Sequence, residues 1–196
     1  MNLEDYQTVF AVTILGLSLV AASPTISLYL PSGGERFSEL WVLGPGHMAE
    51  DYPFNVVAGE EYGVFVGVGC HMGESTYYVV YAKFRNQTQP LPNATVSEPS
   101  PLPPLYEFHA FVEDEGTWEA QVNFTILDVS VGTNSTLVRN LSIDDAVFEV
   151  DSTVAWDSEY EGYFCQLFFE LWMYDNAVSD LRYHNRYVGI WLNVTI

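Results

Sequence analysis

Alternation with a period of two runs through most of this chain. Over a half-buried surface it admits only extended strands. Residues 118–126 show it most clearly. Trp118, Ala120, Val122, Phe124 and Ile126 fall on one side, and Glu119, Gln121, Asn123 and Thr125 on the other. Residues 62–70 place Val64, Val66, Val68 and Cys70 together, with Gly67 and Gly69 behind them. Residues 163–174 carry Tyr163, Cys165, Leu167, Phe169, Leu171 and Met173 on one apolar face, as a central strand does. Residues 187–196 end the chain with Val188, Ile190, Leu192, Val194 and Ile196 in phase. Residues 76–84 and 105–112 are β-branched and aromatic and read as two more strands.

Residues 138–150 fit helix or strand equally. No segment beyond the N-terminal stretch shows a 3.6-residue stripe. The expected fold is all-β: an immunoglobulin-like antiparallel β-sandwich, residues 35–196, of two packed sheets. Two irregular stretches interrupt it. Residues 86–104 are proline-rich and predict an extended, exposed crossing. Residues 128–161 are polar and acidic and read as an inserted segment or long loop.

Cys70 and Cys165 fall on inward faces, and in such a sandwich their strands would face each other. A disulfide is expected there, against the alternative of two buried free thiols.

Residues 6–34 carry no charge. From Thr8 to Leu30 the stretch is long enough to cross a bilayer core of ~30 Å. A cleaved signal peptide is the rival, but the acidic start MNLEDYQ lacks the basic residues such a peptide needs. The expectation is an N-terminal transmembrane helix within residues 1–34, with the C-terminal domain outside the cell. Six Asn-X-Ser/Thr sequons follow it: Asn86, Asn93, Asn123, Asn134, Asn140 and Asn193. That density fits a glycosylated external domain.

The formal net charge is −20, with a single lysine, Lys83. Such a surface repels nucleic acid and anionic headgroups. No cofactor motif is present. The four histidines, His47, His71, His109 and His184, are scattered without metal-ligand spacing. Asp157, Glu159 and Glu161 alternate and are weak calcium candidates; a solvated acidic loop is the plainer reading. No catalytic constellation is visible, and no enzyme is expected. The second face of residues 163–174 holds Phe164, Phe168, Trp172 and Tyr174. It is an interaction patch unless the proline-rich crossing or the acidic segment covers it.

One stretch is more specific. FSELWVLGPGHMAEDYP is followed by a strand reading G-E-x-x-x-V-x-V-G-V. Phe37, Leu43, Gly44, Ala49, Glu50, Asp51, Tyr52, Pro53, Gly59, Glu60, Val64, Val66, Gly67 and Val68 carry a pattern that resembles the archaeal family called domain of unknown function 1616. Residues 117–119 and 187–195 resemble the family's later strands, so that roughly 10–85, 105–127 and the last strand are covered. The resemblance implies an archaeal membrane protein with an external β-sandwich of no established activity. The chain departs from the family in having at most one membrane helix where several are usual, and in residues 128–161. Gly44, Pro45, Glu50, Asp51, Tyr52 and Pro53 then read as a structural loop, with Glu50 and Asp51 placed to cap backbone amides.

The expected function is that of a membrane-anchored, N-glycosylated cell-envelope module. Its partners would be other envelope or membrane proteins, or itself. The alternative is an envelope carbohydrate- or calcium-binding domain.

Overall fold

A computed structural model describes residues 3–29 and 35–195. They form two separate units, divided at Arg36. The first holds one helix, α1 (Leu3–Tyr29). Among the described residues no helix is long and apolar enough to cross a membrane. The expected crossing, Thr8 to Leu30, ends outside the described residues.

The second unit is all strand: β1 (Phe37–Leu43), β2 (Asn55–Val57), β3 (Glu61–His71), β4 (Thr76–Asn86), β5 (Tyr106–Val112), β6 (Thr117–Val131), β7 (Ser135–Ile143), β8 (Ala146–Asp157), β9 (Gly162–Asp175) and β10 (Asp180–Thr195). They make one curled sheet. Its first half runs β1-β3-β6-β7-β8, its second β5-β4-β9-β10-β2. All neighbours are antiparallel except β2, which runs parallel to β10. The halves join at β9. Trp156 and Asp157 of β8 pair with Tyr163 and Gly162, and from Cys165 onward β4 takes the same edge. Asn86 Nδ2 donates to Thr153 O at 3.0 Å and Gln87 Nε2 to Ala155 O at 2.9 Å, which splices β4 to β8 where one replaces the other.

The alternating residues fill the space between the halves. Val64, Val66 and Val68 of β3 and Val122, Phe124 and Ile126 of β6 share one buried cluster with Leu167, Phe169 and Leu171 of β9 and Ile190, Leu192 and Val194 of β10. Each such side chain contributes on the order of 1.5–3 kcal/mol.

The acidic segment 128–161 is not a loop. Most of it is β7, β8 and the end of β6. Two devices hide the pairing. Register shifts at Asp128 and between Val138 and Asn140 break the alternation, so Val138 is buried and Leu141 is the next inward residue. The turn between β7 and β8 is two residues, Asp144 and Asp145, both at positive φ (45° and 66°). Glycine or asparagine usually takes such a turn. Here Asp144 Oδ1 accepts from Asn123 N at 3.0 Å, which ties the turn to β6.

The expected disulfide is absent: Cys70 and Cys165 are buried free thiols. Their strands do lie in opposite halves, but the residues sit at opposite ends. Cys70 pairs with Ser38, whose Oγ lies 2.6 Å from Tyr78 Oη at the start of β4. Cys165 pairs with Asn86 at the end of β4. Eight residues of strand amount to roughly 25 Å, whereas a disulfide spans Cα atoms less than ~7 Å apart.

The crossing, residues 86–104, lies over the outer face of the second half; most of it is exposed, and only Pro92 and Ser100 are buried. Ser100 is buried there, and beneath it Lys83 and Glu170 form an ion pair at 2.8 Å with side chains 4% and 0% exposed. Ser100 serves both partners. Its N–H donates to Glu170 Oε1 at 2.8 Å, and its carbonyl accepts from Lys83 Nζ at 2.9 Å. Trp172 Nε1 donates to Glu170 Oε2 at 3.2 Å.

A pair this deep is costly to break from one side. Lys83→Met should lower the unfolding free energy by about 3–5 kcal/mol, because it strands a buried carboxylate. The double variant K83M/E170L should recover most of that loss. Urea unfolding measures both; a single-variant loss under about 1 kcal/mol, the scale of an exposed pair, would show that the crossing does not seal the face.

Candidate functional site

The outer face of the second half is set by register. β9 turns Phe164, Gln166, Phe168, Glu170 and Trp172 outward. Arg85 and Trp191 stand opposite Gln166, Lys83 and Gly189 opposite Phe168, and Tyr81 and Tyr187 opposite Glu170. The crossing covers the middle. Phe168 is fully buried and Phe164 nearly so. Most of the aromatic face that could have formed a patch is therefore sealed, and only Tyr174 at its far end is exposed.

Gly189 is required for this. A Cβ there would lie 2.7 Å from that of Phe168. Arg85 is buried beside the sealed region. Nη1 donates to Gln166 Oε1 at 3.1 Å, Nη2 donates to Gln87 O at 2.8 Å, and the guanidinium lies 5.5 Å from the centroid of the Trp191 ring. Burial lowers the pKa of Arg85. Burial, with Glu170 nearby, pushes the Tyr183 phenol up to about 12. Burial first, and then the charge of Arg186 on the same strand, lower the pKa of His184.

Past the start of the crossing the face opens. Phe54, Tyr160, Phe164 and Trp191 line a groove of about 600 Å³, with Gln87 and Asp157 on its rim. Four separated parts of the chain meet here: the residue before β2, the start of the crossing, the β8–β9 turn and β10. Phe54 and Phe164 lie 5.9 Å apart, and Tyr160 meets Phe164 edge-on at 6.3 Å. Phe54, Tyr160 and Trp191 are exposed. Exposed aromatic surface with a few polar groups at its rim is suited to binding, and nothing in the period-two pattern announces it.

The sequence-predicted residues lie elsewhere, except Asp157 and, from the aromatic second face of residues 163–174, Phe164. Asp157 reaches the groove, but its Oδ1 accepts from Glu159 N at 2.9 Å and Tyr160 N at 3.1 Å, closing the turn. Glu159 and Glu161 are exposed in that turn rather than aligned on a strand edge. Among the described residues no group of His, Cys, Asp and Glu is placed to hold a metal ion.

The loop after β1 is structural. A Cβ on Gly44 would fall 1.9 Å from Glu50 O, and Gly44 N donates to Met48 O at 2.8 Å. It is thus the backbone of Glu50 that packs the loop; the side chains of Glu50 and Asp51 are exposed. Asp51 holds φ 55°, Pro45 stands at the exposed tip, and Pro53 leads into β2. Tyr52 Oη donates to Val42 O at 2.9 Å.

Asn93 and Asn134 are exposed outside the strands, and Asn123 and Asn140 are half-buried on β6 and β7. Asn86 is engaged at the β4–β8 splice. Asn193 Oδ1 accepts from Tyr163 N at 3.0 Å and its Nδ2 donates to Asn55 Oδ1 at 3.0 Å, joining β9, β10 and β2.

Comparison with known proteins adds a family. The model of the family "Domain of unknown function (DUF1616)" matches residues 31–141, more than half of the chain. The chain belongs to the DUF1616 family. The match begins later than the resemblance suggested and runs on through most of β7, while β8, β9 and β10 lie beyond it. The DUF1616 stretch supplies Phe54 and Gln87 to the groove; Asp157, Tyr160, Phe164 and Trp191 come from outside it.

Among curated proteins none matches. A β-glucosidase from Listeria innocua, solved in complex with glucose, is similar at 8% identity and a TM-score of 0.42, over 82% of this chain and 16% of that one. A complex of zinc 2-glycoprotein and prolactin inducible protein from human seminal plasma is similar at 10% identity and a TM-score of 0.39, over 84% of this chain and 99% of that one. Neither likeness is near enough to bear on fold or activity.

Three outcomes follow from this geometry. Any glycan should be found on Asn93 and Asn134 and not on Asn86 or Asn193, as glycopeptide mass spectrometry will read. Asn193→Ala should cost about 1–3 kcal/mol, since it leaves the Tyr163 amide without its acceptor. The Tyr183 phenol is held neutral by the fold, and its pKa rises from 10.0 to about 12. The unfolded chain therefore loses that proton first, and the stability is complete below pH 10 and lost as pH rises towards 12. Urea midpoints across that window should fall, and those of Tyr183→Phe should fall less steeply than those of the native chain.

Proposed function

We propose that this DUF1616 chain is a non-catalytic interaction module of the cell envelope. Its curled sheet would serve as an immunoglobulin-like sandwich, displayed outside the cell and held to the membrane by the N-terminal segment. The observation that carries the reading is the exposed groove at Phe54, Tyr160 and Trp191 on a chain of net charge −20. Acidic surface keeps such a domain soluble, and exposed aromatic surface on it marks a place of contact.

The membrane part of the reading draws on α1. In sequence its residues 9–22 are apolar apart from Thr13 and Ser18, without a single stripe. Thr13 Oγ1 and Ser18 Oγ donate to Val9 O and Ile14 O, both at 2.8 Å, so these hydroxyls need no outside partner. Partners would be envelope or membrane proteins.

A second reading, a carbohydrate platform, draws on Gln87 and Asp157 beside the open Trp191 ring. Glycan-array binding that is lost in Trp191→Ala would favour it.

Purification from native membranes in mild detergent, followed by cross-linking mass spectrometry, tests the first reading. A defined set of cross-linked envelope proteins is expected. Recovery of the chain alone and monomeric would remove it.

A further inference from the structure

The second half of the sheet ends on one side at β5. Among the described residues β5 pairs with β4 alone. In an antiparallel strand, residues whose N–H and C=O groups face one neighbour alternate with residues that face the other way. Half of the backbone groups between Tyr106 and Phe111 therefore point away from β4, with no described strand to meet them. At the Val112 end the edge is shut, because the turn after β5 bonds to β3. Glu115 N donates to Cys70 O at 2.8 Å, and Cys70 N donates to Gly116 O at 3.0 Å.

The core is unfinished at the same place. On β4 the inward residues Tyr78, Val80 and Ala82 are wholly buried. Along β5 a row of rings runs from Phe148 of β8 to Tyr106 at 6.3 Å, on to Phe108 at 4.8 Å, and then to Trp118 of β6 at 6.1 Å. Phe148, Tyr106 and Trp118 pack against the common core but keep part of their surface in solvent. Cover is thus complete under β4 and incomplete past β5. The outer face is bare as well: Glu107, His109 and Phe111 are exposed, Phe111 at 71%. Solvent reaches both sides of the edge, and so can another strand.

We infer that the free edge of β5 pairs with a strand of a partner protein, apolar on the side that turns to the core and basic beside Glu107. The inference adds a second contact surface to the module, apart from the aromatic groove. Unpaired main-chain groups select an extended backbone, which satisfies them as another strand does. The half-buried rings select apolar residues at alternate positions, since covering them removes apolar surface from water. On the outer face, cross-strand pairing favours lysine or arginine beside Glu107 and an aromatic or β-branched residue beside Phe111. A second copy would bring a further −20 to the same place, so a partner of opposite sign is favoured.

The test places the photo-crosslinker benzoylphenylalanine, one position at a time, at Tyr106, His109 and Phe111 on β5. Met48 and Val131, at 55% and 56% exposure, are controls, and Tyr160 reports on the groove. The full chain is irradiated in native membranes, and the cross-linked peptides are sequenced. A synthetic peptide of the captured segment is then added to the purified chain, and amide hydrogen exchange is followed over residues 106–111. The expected result is one short segment of another protein, alternating and carrying a basic residue, captured at β5 several-fold above the controls. Its peptide should slow exchange at 106–111 by about tenfold or more. Capture at β5 no greater than at Met48 or Val131, capture of a helical or acidic segment, capture of this chain's own peptides, or a peptide that leaves exchange unchanged would overturn the β5 edge. A protein captured at Tyr160 would in those cases leave the module reading standing. No captured protein at any of the six positions would overturn both.

Discussion

The Lys83–Glu170 pair is the interaction on which the shape of the second half depends. Neither charge could be buried alone, since an isolated ion loses several kcal/mol of hydration in such a place. The pair is tolerable because Ser100 and Trp172 supply the remaining hydrogen bonds. That requirement fixes the crossing. Ser100 must sit over the pair, and its hydroxyl in turn donates to Pro90 O at 2.8 Å, drawing the crossing back on itself. Proline suits such a strap because its preset φ lowers the entropy of ordering a chain that has no ladder to hold it. The pair thus converts an otherwise solvent-facing strand surface into a second buried layer around Phe168.

The same arrangement explains why the site lies where it does. The crossing seals the outer face from Trp172 to Phe168 but leaves β4 at Asn86, where β8 takes over the edge of β9. Past that point Phe164 is covered by Phe54 and Tyr160 rather than by the crossing, and these exposed rings with Trp191 shape the groove. Arg85 and Gln166 mark the border. They belong to the sealed face by burial and support Trp191 at the open one.

How far the sequence disclosed this follows from which forces act locally. β3, β6, β9 and β10 were legible because residues 62–70, 118–126, 163–174 and 187–195 each keep one phase; the register shifts of β6 and β10 fall outside these stretches, at Asp128 and between Tyr183 and Arg186. β7 and β8 were not. Their bulges shift the phase, Thr136 and Ser152 take inward positions, and the turn uses two aspartates where a glycine would be looked for. The disulfide expectation failed on an end-to-end offset that phasing cannot see, because alternation reports which face a residue takes and not how far along the sheet it lies. Lys83 and Glu170 drew no reading from the sequence, since their burial depends on Ser100, which is distant from both along the chain. Of the candidate site, Phe164 was singled out as part of an aromatic face and Asp157 for a different chemistry. The groove joins residues from four distant segments, and no local pattern encodes such a meeting. The DUF1616 loop was legible as structure because Gly44 and Tyr52 act on near neighbours.

Among the described residues β1 pairs on one side only, and an unpaired strand edge is ordinarily an aggregation hazard, since edges recruit edges. This chain carries neither proline nor lysine in β1 or β10 to blunt them. Its safeguard is charge. With 26 acidic residues against six basic ones, two copies that bring their edges together also bring like charges within the ~8–10 Å over which charges interact at physiological salt. Edge pairing between copies is therefore opposed at the distance at which it would form, and that opposition weakens as salt rises.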